Sequence, residues 1–302
     1  MDPHPFDVIV CGSLHLDVMV KAEHLPQTDE TAIGSEWAYQ CGGKGRNQAE
    51  MSARMGTKTA MIGRIGNDDF GTRLIESLDQ AGVDRSQISV DPINGSGMSV
   101  AIVEPSGNYG AVIVSGSNLT LDPSGVCQAW DALGGGKWLI LQNEVPEPIN
   151  TALARWARAR GASVILNAAP ARPMANELLK EIDILVVNRV EAAMLAGIAV
   201  ENLADASKAA SKLKSETRDV IVTLGGDGLL LLLRHGIEIT VLAEQVNVVS
   251  THGAGDSFIG ALAAKLASGA TLETATRHAN RLAGYFVSLS EAEKKTTDLL
   301  SR

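Results

Sequence analysis

Trp138-Leu139-Ile140-Leu141-Gln142, the amphipathic stretch Pro148–Arg160, Ser163-Val164-Ile165-Leu166 and Asp183-Ile184-Leu185-Val186-Val187 together decide the fold. The three apolar runs are too short for helices and apolar throughout, as strands buried on both faces are. The stretch between the first two has helical spacing. Strand, helix, strand in that order is the unit of a parallel sheet. The pattern extends outward to the strand candidates Phe6–Cys11 and Val220–Leu224 and to the helical stretches Gly43–Met55, Phe70–Ala81 and Asp205–Lys214. Two more helical stretches, Gly253–Ala267 and Leu272–Leu289, close the last third, and the polar Glu291–Arg302 is expected to fray. The alternation predicts an α/β fold, a doubly wound and mostly parallel sheet.

Two places break it. Asp17–Ala22 and Thr31–Gln40 read as strands with no helix between them, and so do Ser96–Glu104 and Tyr109–Ser115, the latter pair joined by the turn-like Pro105-Ser106-Gly107-Asn108. A small accessory sheet is expected from these four, standing off the main body as a lid.

Composition narrows the function. At 302 residues, 45% hydrophobic and 20% charged, the chain can bury a large core and is not disordered. A net charge of −9 argues against a nucleic-acid binder. No apolar run reaches the roughly 18 residues of a membrane span. Met1-Asp2-Pro3-His4-Pro5 has neither the basic start nor the apolar run of a secretory signal, so a soluble cytoplasmic protein is expected. Cys11, Cys41 and Cys127 are odd in number and far apart, which fits reduced thiols and no zinc site.

Five short segments follow predicted strands. Thr251-His252-Gly253-Ala254-Gly255-Asp256-Ser257-Phe258 runs into an apolar helix. Amides at a glycine-rich helix start can hold a phosphoryl group while an Asp there accepts a hydroxyl proton; alternatively Asp256 caps the helix. Cys41-Gly42-Gly43-Lys44-Gly45-Arg46-Asn47-Gln48-Ala49 lets backbone approach a polyhydroxylated ligand, with Lys44 and Asn47 as donors; it reads equally as a strand-to-helix turn. It is not a P-loop, because no Ser or Thr follows Lys44. Gly12-Ser13-Leu14-His15-Leu16-Asp17 is not GxGxxG, and Asp17 stands where a pocket would begin or merely turns the chain. Thr223-Leu224-Gly225-Gly226-Asp227-Gly228 frames a nucleotide or turns a hairpin into Leu229–Leu233. Asn188-Arg189-Val190-Glu191 could hold a hydrated metal and phosphate, though its spacing alone favours a capping box. All five lie at the carboxyl ends of strands, where α/β sheets bind ligands.

With those residues in order, the chain resembles the ribokinase-like (PfkB-type) carbohydrate kinases over about residues 6–290. Gly42–Ala49 looks like that family's N-terminal signature and Thr251–Phe258 like its C-terminal one; Asn188 with Glu191 resembles its NxxE motif, and Asn167-Ala168-Ala169-Pro170-Ala171-Arg172 resembles ribokinases. The resemblance implies a three-layer α/β/α domain over 1–302, with a lid from about 17–40 and 96–115 that makes a homodimer. It implies ATP-dependent phosphorylation of a small-sugar hydroxyl, with Mg2+ held by Glu191 through water. Asp256 would be the base and Gly253, Ala254 and Gly255 the anion hole. His15, Asp17, Gly43, Lys44, Asn47 and Glu144 match sugar-side positions; Asn188, Thr223, Leu224, Gly225, Gly226, Asp227, Gly228 and Asn280 match nucleotide-side positions.

Three departures qualify it. His15 stands where ribokinases carry Asn, which points to another sugar. Ser250 replaces an Asp of the potassium site, and Ser288–Lys295 lacks the Gly-Ala segment completing it, so weak or absent activation by a monovalent cation is expected. A nucleoside kinase and a sugar-acid kinase, with Arg46 or Arg172 on the acid, are alternatives within the family. A non-catalytic sugar or nucleotide sensor is the alternative outside catalysis.

Overall fold

The computed structural model of the chain describes residues 4–106, 109–215 and 217–300. Its main sheet has nine strands. From one edge they are β13 (Glu238–Val241), β12 (Leu229–Leu232), β11 (Asp219–Thr223), β10 (Ile184–Asn188), β9 (Ser163–Asn167), β8 (Gly136–Gln142), β1 (Phe6–Cys11), β4 (Thr59–Gly66) and β5 (Asp84–Asp91). From β11 to β5 all pairs are parallel; only the β11–β12 and β12–β13 pairs are antiparallel, so β12 alone is reversed. The expected doubly wound, mostly parallel sheet is what forms.

Alternation along the buried strands divides the core in two. Ile9 and Cys11 of β1, with Leu139 and Leu141 of β8, pack against α3 (Pro123–Leu133), α4 (Glu147–Arg158), α6 (Arg189–Ala196) and α7 (Leu203–Leu213). Val8, Val10 and Ile140 face the opposite side, toward α1 (Lys44–Arg54), α2 (Asp69–Gln80), α8 (Ala254–Ala267) and α9 (Leu272–Val287). A period of two in the strands therefore yields three layers. Burial and the neighbouring Cys127 push the Cys11 thiol up to about 12, which makes it an inert core residue.

The second sheet has the order β3 (Gly34–Gly42), β2 (His15–Ala22), β6 (Gly97–Val103), β7 (Tyr109–Val114). It is mixed, because β2 and β6 pair parallel. Its strands are those anticipated, but β2 begins at His15 rather than Asp17, and β3 occupies Gly34–Gly42 rather than Thr31–Gln40. Of the anticipated turn at 105–108, residues 107 and 108 lie outside the described residues. Register decides which side of this sheet meets the site: Asp17 pairs with Gln40 and Ser99, and His15 with Gly42 and Gly97, all on one face. The row Tyr39–Val18–Val100–Val112 lies on the other.

The anticipated fraying of the C-terminal segment is corrected for residues 291–300; residues 301 and 302 lie outside the described residues. Residues Glu291–Thr296 form α10, with a reciprocal Ser290–Glu293 capping box, and both Lys294 and Leu299 are buried. Composition suggested a solvated tail, but the cap and one buried cation hold the segment. No helix among the described residues is long and apolar enough to cross a membrane.

Candidate active site

The turn from β1 into β2 packs directly on the start of α1, and absent side chains make that possible. A Cβ on Gly45 would lie 2.7 Å from the Gly12 carbonyl carbon and the Ser13 nitrogen. At Gly42 it would lie 2.2 Å from Asp17 Oδ2. Gly43, with φ +90°, has Ser13 and His15 backbone within 2.8 Å of where its Cβ would be. The glycine run thus brings Ser13, His15, Asp17, Lys44 and Asn47 together.

Glu144, just beyond β8, is the acceptor at the centre of this cluster. Its Oε2 accepts from Ser13 Oγ at 2.5 Å and from the Lys44 amide at 2.9 Å, with His15 Nδ1 at 3.8 Å. His15 Nε2 is buried with no partner among the described residues. Asp17 Oδ1 accepts from Ser99 Oγ at 2.5 Å.

Asp256 sits on the first turn of α8, buried. Its Oδ2 accepts from Asn47 Nδ2 at 3.1 Å and its Oδ1 from Gln48 Nε2 at 2.9 Å. Gln48 Oε1 in turn accepts from Gln142 Nε2 at 2.8 Å. Asp256 does not cap its own helix: Gly253 occupies the N-cap with φ +75°. The Ala254 amide donates to Thr251 O at 3.2 Å, and the amide of Gly255 lies in the first turn, where an α-helix offers no internal acceptor. Burial raises the Asp256 carboxyl above its ordinary value, while Lys44, Asn47 and Gln48 pull it partway back. Burial would depress the Lys44 ammonium, but Asp256, Glu144 and Glu191 outweigh it and leave the group raised. One cation therefore lies in the field of all three carboxylates. A cavity of about 380 Å3 opens on one side of Asp256, lined by Arg46, Asn47, His252, Gly253, Glu291 and Lys294 among others.

The residues expected on the nucleotide side lie farther along the carboxyl ends of the same sheet. Asn188 and Thr223 are register partners at the ends of β10 and β11. Asn188 Oδ1 accepts from the Glu191 amide at 2.9 Å and Glu191 Oε2 from the Asn188 amide at 2.8 Å, so the spacing does form a capping box. Burial, with Asp256 adding to it, raises the Glu191 carboxyl against the pull of the Asn188 amide and Lys44. Thr223–Gly228 turns β11 into β12, as the hairpin reading had it, and Arg189 ties the turn down through Leu224 O at 3.2 Å and Asp227 at 2.5 Å. A Cβ on Gly228 would lie 2.1 Å from Val241 O, and Asn280 Nδ2 donates to Leu242 O at 2.9 Å. Gly228 and Asn280 thus meet the same short stretch after β13.

The profile of the pfkB family carbohydrate kinases matches residues 6–298. The chain belongs to that family. This carbohydrate kinase is 34% identical over 262 residues to the ribokinase of Staphylococcus aureus, covering 86% of each chain. It is 30% identical over 283 residues to the deoxyribokinase of Salmonella typhi, covering 93% of this chain and 92% of that one. Among solved structures, Arabidopsis thaliana ribokinase complexed with ribose and ATP superposes with a TM-score of 0.89 at 30% identity, over 98% of this chain and 97% of that one. The reaction class follows: phosphoryl transfer to an alcohol acceptor.

Sequence reasoning about this kinase missed Ser13, Ser99, Gln48 and Gln142. Gln48 carried a usable signal, since it is polar yet falls on the core face of α1, where it is fully buried. Ser99 becomes visible only once the β2–β6 register is known. The two arginines considered for an acidic sugar differ. Arg46 is taken by Glu50 at 2.5 Å. Arg172 Nη1 donates to the carbonyls of Asn143 and Val145 on either side of Glu144, at 3.2 and 2.8 Å, while its Nε and Nη2 are buried without partners among the described residues.

Proposed function

We propose that this kinase transfers the γ-phosphoryl group of ATP to a hydroxyl of a pentose or similarly small sugar. The carrying observation is the Asp256 carboxylate, buried at a helix start and clamped by Asn47 and Gln48 beside Lys44. The ribose and ATP of the Arabidopsis ribokinase structure support the substrate classes.

In this reading the sugar lies between Asp17, Glu144 and the Gly43–Asn47 turn. Asp17 accepts from two hydroxyls, with Ser99 fixing its orientation. The unpartnered His15 Nε2 meets another hydroxyl. Asp256 takes the proton of the attacking hydroxyl, and the amides of Gly253 and Gly255, joined by that of Ala254 once it leaves Thr251 O, hold the charge developing on the phosphoryl oxygens. Asn188, Thr223–Gly228 and Asn280 bind the nucleotide. The donor set at Glu191 fits Mg2+: the capping box engages only Oε2, leaving a hard oxygen near a second carboxylate, suited to a cation that keeps its waters. When bound, Mg2+ would offset phosphate charge, with Glu191 holding it through water. The small sheet closes as a lid and excludes water as a competing acceptor. As an ATP-consuming kinase it would work in the cytoplasm.

ADP release from MgATP is the test, run over ribose, 2-deoxyribose, other free sugars, nucleosides and a ketodeoxy sugar acid. One small neutral sugar is expected to turn over. The unpartnered Arg172 nitrogens favour a sugar acid as the second reading, and turnover of the acid alone would replace the neutral-sugar assignment. Silence across the panel with ATP still bound would favour a sensor.

The lid's outer face supports a homodimer. Trp37 and Val112 on it are 65% and 69% exposed, and Tyr39, Val100 and Val114 extend the apolar surface. A second copy is the proposed occupant, its own identical face being the complementary one. Sedimentation should give twice the chain mass, and Trp37→Glu should give one chain mass. A wild-type monomer at micromolar concentration would remove the dimer.

A further inference from the structure

The segment feeding the anion hole is held from behind by one buried ammonium. Residues 242–248 have no regular structure, and the Val249 and Ser250 amides donate to Val287 O at 2.8 and 3.1 Å. Lys294, 4% exposed, reaches from α10 beneath residues Ser250 to His252. Its Nζ donates to His252 O at 2.9 Å, Ser250 Oγ at 3.1 Å, Ser250 O at 3.3 Å and Glu291 Oε1 at 2.7 Å, and it lies 4.9 Å from the centre of the Phe286 ring. Glu291 Oε1 also accepts from Ser250 Oγ at 2.8 Å. Burial raises the Glu291 carboxyl, but the Lys294 and Ser250 bonds outweigh it and keep the group below its ordinary range.

Two backbone carbonyls, a hydroxyl and a carboxylate oxygen around one positive charge make the oxygen cage that a bound monovalent cation would need. The carbonyls belong to the residues three and one before Gly253. Fixing them fixes the peptide planes that lead into the Gly253–Gly255 amides. A buried lysine is tolerated only with such partners.

We propose that the Lys294 ammonium is a tethered monovalent cation: a positioning residue that orders Ser250–His252 so that the following amides face the transferred phosphoryl group. The proposal rests on the kinase reading above. It makes this enzyme independent of free potassium, because the cation is covalently part of the chain.

The experiment compares wild type and Lys294→Met, which keeps the apolar stem against Phe286. Each is assayed in tetramethylammonium buffer and then with added K+ or NH4+. Wild-type turnover is expected to be the same with and without K+. Lys294→Met should lose about 100-fold in kcat, the scale of a misplaced catalytic group, with KM for the sugar little changed. K+ or NH4+ should restore a saturable part of that loss. Strong activation of wild type by K+, full activity of the variant, or a folded variant that no cation rescues would each overturn the proposal. Thermal unfolding reads the same site without turnover: K+ or NH4+ should raise the Tm of Lys294→Met and not of wild type. If wild type phosphorylates nothing while this Tm pattern holds, the kinase reading fails and the tethered cation stands. A variant Tm indifferent to K+ and NH4+ overturns the tethered cation whatever the activity.

Discussion

Asp256→Asn should lower kcat by about 10²- to 10⁴-fold, the range of a general base, and leave the protein folded. Neither Asn47 nor Gln48 depends on Asp256 for its place in α1, and Gln48 keeps its bond to Gln142. The stability sign can be worked out. The folded-state pKa of Asp256 is raised, so the folded protein holds that proton more tightly than the unfolded chain. Its contribution to stability therefore falls as pH rises from the unfolded pKa to the folded one, and the full cost is reached only above the folded pKa. Asn removes that cost but turns an NH2 toward one of the two donors, so the Tm should move little. In wild type, kcat/KM should fall as pH drops through a pKa above the ordinary ~3.9 of an Asp, because only the ionised carboxylate accepts a proton. Near-full activity in the variant, or an acid limb unchanged in it, would remove Asp256 as the base.

Gly43→Ala should cost both stability and activity. At φ +90° an alanine is strained, which costs about 1–3 kcal/mol. Its Cβ would meet Ser13 O at 2.7 Å, His15 N at 2.8 Å and Leu14 Cα at 2.9 Å, all backbone, so no side chain can rotate away. Overpacking of that kind adds about 1–3 kcal/mol. Relief requires the β1–β2 turn to move, and that turn carries Ser13, His15 and Asp17 into the site. Gly269→Ala isolates the first cost, since φ there is +88° with nothing within 4 Å of the added methyl. Urea midpoints should show Gly43→Ala as much the more damaging, with a fall in kcat/KM that Gly269→Ala lacks. Equal midpoints would mean that the close approach contributes nothing.

The buried strands were legible because each carries a continuous run of three or more apolar residues. β4 was not, since Gly63 and Arg64 interrupt it, and β5 was not, since an edge strand with the sequence Asp84-Arg85-Ser86-Gln87 carries little apolar signal. α3 announces itself by Asp122 at its N-cap and Pro123 in its first turn, a pairing left unread. The candidate site was legible where glycine marks a close approach or where a motif places a group directly, as at the proposed roles of Asp256 and Asn47. Its supporting shell was not. Ser99 reaches Asp17 across 82 positions, Glu144 reaches Lys44 across 100, and Lys294 reaches His252 across 42. Those pairings depend on register and topology, which one strand or helix read alone does not contain.

The place of β1 between β4 and β8 has a consequence during synthesis. β4 ends at Gly66, so one flank of β1 can be covered early, but β8 begins only at Gly136. At the ~5–20 residues per second of translation, the other flank stays open for several seconds or more after β1 emerges. It is a row of unpaired amides and carbonyls on an apolar strand, the kind of edge that templates aggregation. Asp256, the proposed base, arrives later still. The nascent chain therefore passes through a long interval in which it can stick to its neighbours but cannot yet phosphorylate anything, and its yield depends on what shields β1 until residue 142 is made.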